Sequence, residues 1–308
     1  MLNVTSLVVD ALSRRLVGEY RRVFGDARCR CPCQGGGGGT GAGADHAPAI
    51  AAAVRLALER IGTSDAPYHD VGHTVMVALV GTEILRGREI AGRVTPEDWL
   101  HMTVALLCHD VGYVRGACRG DTATEIVVGT AGEMAALPRG ASDAWLTPYH
   151  VDRGKVFVRE RAAAVLGDAV DPERVARAIE LTRFPVPEDG DHAETGTEAG
   201  LVRAADLVGQ LADPDYLRKH TALFHEFAET GTAQRLGLAS AADLGEGYAV
   251  FFWEKVEPYI GDALRYLQLT PEGRQWIANL YAQLFAVEHD RWRMGPHPGM
   301  ATRPAPPA

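Results

Sequence analysis

The sequence predicts an all-α fold, a helical bundle of about ten helices between residues 49 and 290. Three observations predict it. Helix-start punctuation recurs, an N-cap residue followed by proline at the first helical position: Thr95-Pro96, Thr147-Pro148, Asp171-Pro172, Asp213-Pro214 and Thr270-Pro271. Apolar residues then follow at helical spacing, as in Val175, Ala178, Ile179 and Thr182, or Leu217, Thr221, Phe224 and Ala228. Alternating strand-like segments with hairpin turns are scarce, and no internal repeat is found.

Each start has its own physical reason. The side-chain oxygen of Thr or Asp accepts a backbone N–H that the first helical turn leaves unpaired, and the following proline lacks the N–H it would otherwise waste. Thr95 has Asp98 three residues on, which completes a capping box. At 308 residues with 46% hydrophobic content, the chain has enough apolar surface for a packed core. The stretch CPCQGGGGGTGAGAD has too much backbone entropy to order without a compensating core, so residues 29–46 read as a flexible linker. The proline-rich end, 293–308, reads as a disordered tail. The expected organisation is an N-terminal helical segment 1–28, the linker, and a functional domain 47–292. A chain starting at about residue 46 is expected to keep its activity.

The balance of 31 basic and 40 acidic residues, net charge −9, argues against a broad footprint for nucleic acid or an anionic membrane. A small phosphorylated substrate needs only a local cationic cluster and stays open as a partner. No run of eighteen apolar residues occurs, and the first twenty residues lack the plan of a signal peptide, so the expected compartment is the cytoplasm. Five cysteines make an odd set. Cys29, Cys31 and Cys33 stand together without a fourth ligand at zinc-site spacing, while Cys108 and Cys118 flank the richest motif, so no disulfide framework is expected.

Three segments carry chemistry. In APYHDVGHTVMVALVGTEIL, His69 and His73 are four apart at a helix opening, a spacing that puts both imidazoles on one face. The helix starting at Thr95 runs through MTVALLC and ends in His109-Asp110 before Val-Gly, where an imidazole and a carboxylate could reach one ion beyond its end. In GLVRAADLVGQLAD, Asp206 lies in an otherwise apolar helical stretch and needs a cationic partner, since a buried unpaired carboxylate is expensive. Imidazole and carboxylate together suit zinc, manganese, iron or magnesium.

These residues resemble a known family. Tyr68-His69-Asp70-Val71-Gly72-His73 is similar to the YHNxxH motif of class I cyclic-nucleotide phosphodiesterases, and LLCHDVGY with downstream Asp206 resembles the H…HD…D signature of the HD superfamily. The resemblance covers roughly residues 49 to 230 in motif order. It implies a divalent metal, one or two ions, held by His73, His109, Asp110 and Asp206, with His69 as general acid and Asp110 also catalytic. Two departures stand out: Asp70 replaces the asparagine, and Tyr113 replaces the second histidine of HDxxHPG. Many HD proteins add two histidines before the last aspartate. His150 and His192 occupy that interval: His150, third residue of an expected capped helix, is a candidate ligand or substrate contact, whereas His192 in an acidic loop reads as solvated. His101, His220, His225 and His289 read as structural.

For the substrate, Arg115 and Arg119 follow the His-Asp pair, Arg153 and Lys155 follow His150, and Arg183 ends a helix; of these Arg115, Lys155 and Arg153 are the candidate phosphate contacts. No P-loop, GxGxxG, GxSxG or HExxH pattern appears. The resulting expectation is a metal-dependent phosphohydrolase that hydrolyses a phosphoester, with nucleotides and cyclic nucleotides as candidates. The alternatives are an HD-type di-iron oxygenase completed by His150 and His192, and a non-catalytic nucleotide-binding sensor.

Overall fold

The fold was obtained as a computed structural model that describes residues 3–25 and 45–289. It is all-α, with ten helices of eight residues or more among the described residues: α1 Val4–Phe24, α2 Ala47–Ile61, α3 Val71–Ile90, α4 Pro96–Cys108, α5 His150–Phe157, α6 Pro172–Glu180, α7 Glu198–Leu211, α8 Tyr216–Glu229, α9 Glu257–Leu267 and α10 Pro271–Glu288. The only strands among these residues are β1, Glu125–Val127, and β2, Met134–Ala136, paired antiparallel with Ile126 opposite Ala135. No described helix is long and apolar enough to cross a membrane. Most of the linker read at 29–46, Cys29, Cys31, Cys33 and the tail 293–308 lie outside the described residues.

Three predicted starts hold in detail. Thr95 and Asp98 form the reciprocal capping box of α4, Asp171 accepts from Glu173 N and Arg174 N, and Thr270 accepts from Gly273 N. Two start later than the sequence suggests. The Thr147 hydroxyl turns back to Ala144 O at 2.6 Å and closes a 3-10 turn, so α5 begins only at His150, which is its first residue. Asp213 accepts from Asp215 N at 2.9 Å, and α8 begins at Tyr216.

Helix α3 is the centre of the bundle, packed against α4, α7, α9 and α1. Val77, Val80, Ile84 and Leu85 are all inaccessible, so the helix is apolar around much of its circumference, as a core helix must be. Its approach to α7 depends on Gly209, where an added Cβ would lie 3.0 Å from the Val77 backbone. That contact is one turn from His73 and three residues from Asp206, so it sets the distance between two of the candidate ligands.

The N-terminal segment is part of this core. Val9, Leu12, Leu16 and Tyr20 of α1 are buried in the same cluster as Ile50, Val54 and Leu58 of α2. Glu19, buried at 1% exposure, meets Arg22 at 2.8 Å and Arg86 of α3 at 3.6 Å. The helix-start and periodicity signals could not reveal this docking, because the glycine run between α1 and α2 suggests independence by composition alone.

Candidate metal centre

Asp70 caps α3, its Oδ1 accepting from His73 N at 2.9 Å, so the motif's departure from asparagine keeps a side-chain acceptor in the capping position. The cap places His69 in the turn before the helix and His73 in its first turn. The two imidazoles therefore do not share a helix face as the spacing suggested, yet their ring centroids are 5.6 Å apart. On α4, His109 is the C-cap residue, and its Nδ1 donates to Leu106 O at 2.9 Å, which leaves Nε2 as the free lone pair. Asp110 follows and opens a 3-10 turn, Val111–Tyr113. Asp206 comes from the middle of α7.

These four side chains converge. His73 Nε2 lies 3.3 Å from Asp110 Oδ2 and 3.2 Å from Asp206 Oδ1; His109 Nε2 lies 3.1 Å and 3.6 Å from the same two oxygens. His73, His109 and Asp110 are buried and offer ligand atoms all within 4.8 Å of one another, a cluster that could hold a metal ion. Asp206 stands at its mouth, its side chain 20% exposed. His109 Nε2 and Asp110 Oδ2 have no hydrogen-bond partner although both are buried, and such orphans call for an explanation. A divalent cation supplies one: two nitrogen and two carboxylate donors suit zinc, manganese, iron or magnesium.

The electrostatics agree. Burial opposes charge on the imidazoles, but Asp110 and Asp206 outweigh it, pushing His73 up to about 9 and His109 well above its ordinary range. Burial would raise the two carboxyls, yet the same histidines hold both well below the usual carboxylate range. In the metal-free protein a proton therefore stands in for the cation at neutral pH. Beside the cluster, burial alone pushes the Cys108 thiol up to about 12, so it offers no thiolate.

His69 is held by a residue the sequence reading missed. Glu226 of α8, 1% exposed, accepts Tyr68 N at 2.7 Å and His69 N at 3.1 Å through Oε1, while its Oε2 lies 2.5 Å from His69 Nδ1. Burial would lower the His69 pKa, but Glu226 and Asp110 raise it above the ordinary value. The signal was present: Glu226 follows buried Leu223 by three residues. The chosen stripe, Leu217, Thr221, Phe224 and Ala228, was one residue out of register with the buried line Tyr216, His220, Leu223.

Tyr113 stacks against two imidazoles, its centroid 4.2 Å from that of His69 and 4.4 Å from that of His150. Burial, then the nearby Asp110 charge, pushes its hydroxyl well above the ordinary range. His150 Nδ1 bonds Thr147 O at 2.6 Å, and its Nε2 faces Asp110 Oδ1 at 4.0 Å, at the edge of the cluster and outside it.

The other candidates are engaged elsewhere. His192 is not solvated: it is 7% exposed, with Nδ1 on Asp189 Oδ1 at 2.8 Å and Nε2 facing Glu180 Oε1 at 3.4 Å, apart from the metal cluster. His101 fits its structural reading, joining Glu97 O to Asp171 N across two helices. Arg153 is wholly buried, and its guanidinium spans Gly112 O, Val114 O, Val127 O and both oxygens of Asp121. It is a strut between the turn after Asp110 and α5, with no donor left for a phosphate. Arg115 pairs with Asp143 and Asp65, Arg119 with Glu160, Lys155 with Asp152 and Glu180, and Arg183 with Glu180 and Asp152. Arg115, Lys155 and Arg183 are already neutralised by carboxylates, whereas the Arg119 guanidinium donates to the Glu160 backbone oxygen.

No curated protein matches the chain. A family model described as Npun_R2479-like matches residues 2–290, which takes in α1, the metal-site helices and α10 alike. The chain belongs to the Npun_R2479-like family.

Proposed function

We propose that this protein is a metal-dependent phosphohydrolase of the HD type, acting on a small phosphoester such as a nucleotide or cyclic nucleotide. The observation that carries the reading is the pairing of a four-residue ligand set, His73, His109, Asp110 and Asp206, with an adjacent imidazole held by its own carboxylate. A divalent cation bound by that set supplies Lewis acidity toward a phosphoryl oxygen and a water acidic enough to be hydroxide near neutral pH.

The protein's own groups do the rest. With Nδ1–H on Glu226, the transferable proton of His69 sits on Nε2, and the Glu226 and Asp110 charges favour that protonated form against the opposing effect of burial. Its release to a departing alkoxide leaves a neutral ring still bonded to Glu226, so neither orientation nor tautomer changes during the step. Asp110 keeps Oδ2 toward the imidazoles and Oδ1 on the opposite side, so one carboxylate serves both the ligand set and the space beyond it. The phosphate charge is left to the cation and His69, since Arg115, Lys155 and Arg183 are paired with carboxylates and Arg153 is spent as a strut. The oxygenase alternative needed His192 as a ligand, and that ring is bonded to Asp189 instead.

His69→Ala is expected to keep its metal but to hydrolyse an alkyl phosphoester about 100- to 10,000-fold more slowly, the usual contribution of a general acid. A p-nitrophenyl ester, whose leaving group needs little protonation, should lose far less. Equal losses on both esters together with loss of metal would make His69 a ligand, and absence of phosphate release with magnesium, manganese, zinc and iron alike would end the hydrolase reading.

A further inference from the structure

We infer that the outer face of α10 is the surface through which two copies of this chain pair, antiparallel about a twofold axis. The inference is independent of the metal-centre and hydrolase readings above. The inner face of α10 is buried through Gly273, Leu280 and Leu284, as in any helix lying on a core. Its outer face should then be charged, and along the middle it is not: no Asp, Glu, Lys or Arg occurs from Gln275 to Val287. Among the residues turned to solvent are Arg274, Ala278, Tyr281, Phe285 and Glu288. Their spacing alternates four and three, which is the seam of a two-stranded coiled coil.

The apolar surface continues beyond the helix. Trp253, on the π-helical turn Phe252–Val256, donates its indole N–H to Glu288 at 2.9 Å, and the adjacent Phe252 ring meets Tyr281 at 5.9 Å. Trp253 therefore flanks the stripe. Tyr281, Phe285 and Trp253 are 37%, 46% and 49% exposed, Phe285 even with His289 stacked on it. At about 150–250 Å² for each aromatic side chain, they leave roughly 300 Å² of apolar surface open per copy. Val250, 60% exposed and three residues before Trp253, adds to it, as do Ala278 and Ala282. A standard interface buries about 800 Å² per partner, a little over half of it apolar, so this face supplies most of the apolar area that a dimer needs.

The stripe complements itself, and that selects a second copy as its occupant. Its ends carry opposite charge, Arg274 at one and Glu288 at the other, 14 residues apart, or about 21 Å along the helix. Tyr281 stands midway. Laid antiparallel about an axis at Tyr281, each copy's Arg274 faces the other copy's Glu288, so the contact gains two ion pairs at its rim. Arg274 spends one guanidinium nitrogen on Gln268 O, and Glu288 one oxygen on Trp253, so each has capacity left for the pair. Between the axis and each end, the small Ala278 meets the large Phe285 of the other copy, which suits helices about 8–10 Å apart. A parallel arrangement would set Arg274 against Arg274 and Glu288 against Glu288, and like charges so placed repel.

The test is sedimentation velocity on the full chain from about 1 to about 100 μM, where a contact of this size should show a monomer–dimer equilibrium. Ala278→Glu puts a charge into the seam without touching the chain's own core, and it should weaken the dimer by at least about tenfold. Tyr281→Glu sets two carboxylates against each other at the axis and should leave a monomer. Circular dichroism verifies both folds, and if Tyr281→Glu does not fold, Ala278→Glu decides alone. Arg274→Glu and Glu288→Arg should each weaken the dimer several-fold, and the double variant should restore it, a rescue that only the antiparallel pairing gives. A monomer at every concentration would overturn the proposal and leave the stripe to the segment after His289 or to a different protein. A dimer indifferent to Ala278→Glu would place the contact elsewhere and overturn it equally. Failure of the double variant to recover what both single variants lose would refute the antiparallel arrangement. Hydrolytic activity has no bearing on any of these outcomes.

Discussion

Asp110→Ala is expected to remove the bound metal and the activity together while leaving a helical protein. The Asp110 carboxylate meets both His73 and His109, at 3.3 and 3.1 Å, and lies closer to His109 than Asp206 does. Loss of a partner that merely orients a ligand weakens metal binding by about 10- to 100-fold. Loss of a ligand should exceed that, so elemental analysis after desalting should find the variant empty. The fold should survive, because the change also removes a buried negative charge and lets both histidines become neutral, as their burial favours. His101→Ala is the control on the same helix: its ring is bonded to Glu97 O and Asp171 N, so it should lower stability and keep the ion. Binding should also release protons at neutral pH, since a cation displaces the one that Asp110 and Asp206 hold on His73 up to a pKa of about 9. Full occupancy in Asp110→Ala would refute the assignment.

Removal of residues 1–44 is expected to unfold the protein or leave it without fixed tertiary packing. Val9, Leu12, Leu16 and Tyr20 are at most 4% exposed in α1. At about 1.5–3 kcal/mol for each large side chain, their burial contributes roughly 6–12 kcal/mol as an upper estimate, against about 5–15 kcal/mol for the net stability of a domain. The deletion also uncovers the matching face of α2 and strips Arg86 of Glu19. Near-ultraviolet circular dichroism and a thermal melt would check it: a cooperative transition close to that of the full chain would show that α1 is dispensable. The sequence reading expected a chain beginning at about residue 46 to stand alone, and the packing argues the opposite.

What was legible in the sequence was local. Thr95, Asp171 and Thr270 announce their helices because a cap and a proline act within four residues of themselves. His109-Asp110 was legible because two polar side chains ending an apolar helix are out of place in a core. Features that depend on long-range docking were not. Arg153 is an ordinary basic residue in the sequence, and only the approach of the hairpin and the turn after Asp110 makes it a buried strut. Glu226 is separated from His69 by 157 residues along the chain. The register of α8 was also ambiguous, because its apolar residues trace two adjacent lines and only packing chooses between them. The paired state of Arg115 and Lys155 was largely hidden for the same reason: Asp65, Asp143 and Glu180 come from other turns and helices, and only Asp152 shares α5 with Lys155.

The docking of α1 has a consequence for how the chain may be divided. The contacts that seat this helix, from Leu12 and Leu16 to the Glu19–Arg86 pair and the Phe24–Trp99 rings, run sideways into α2, α3 and α4, and none depends on covalent continuity with them. A backbone cut between residues 25 and 45 would therefore yield two fragments that stay associated, and the severed protein would behave as a heterodimer. Its melting temperature would then rise with protein concentration, as an intact monomer's does not, because rejoining the pieces would have become a second-order process.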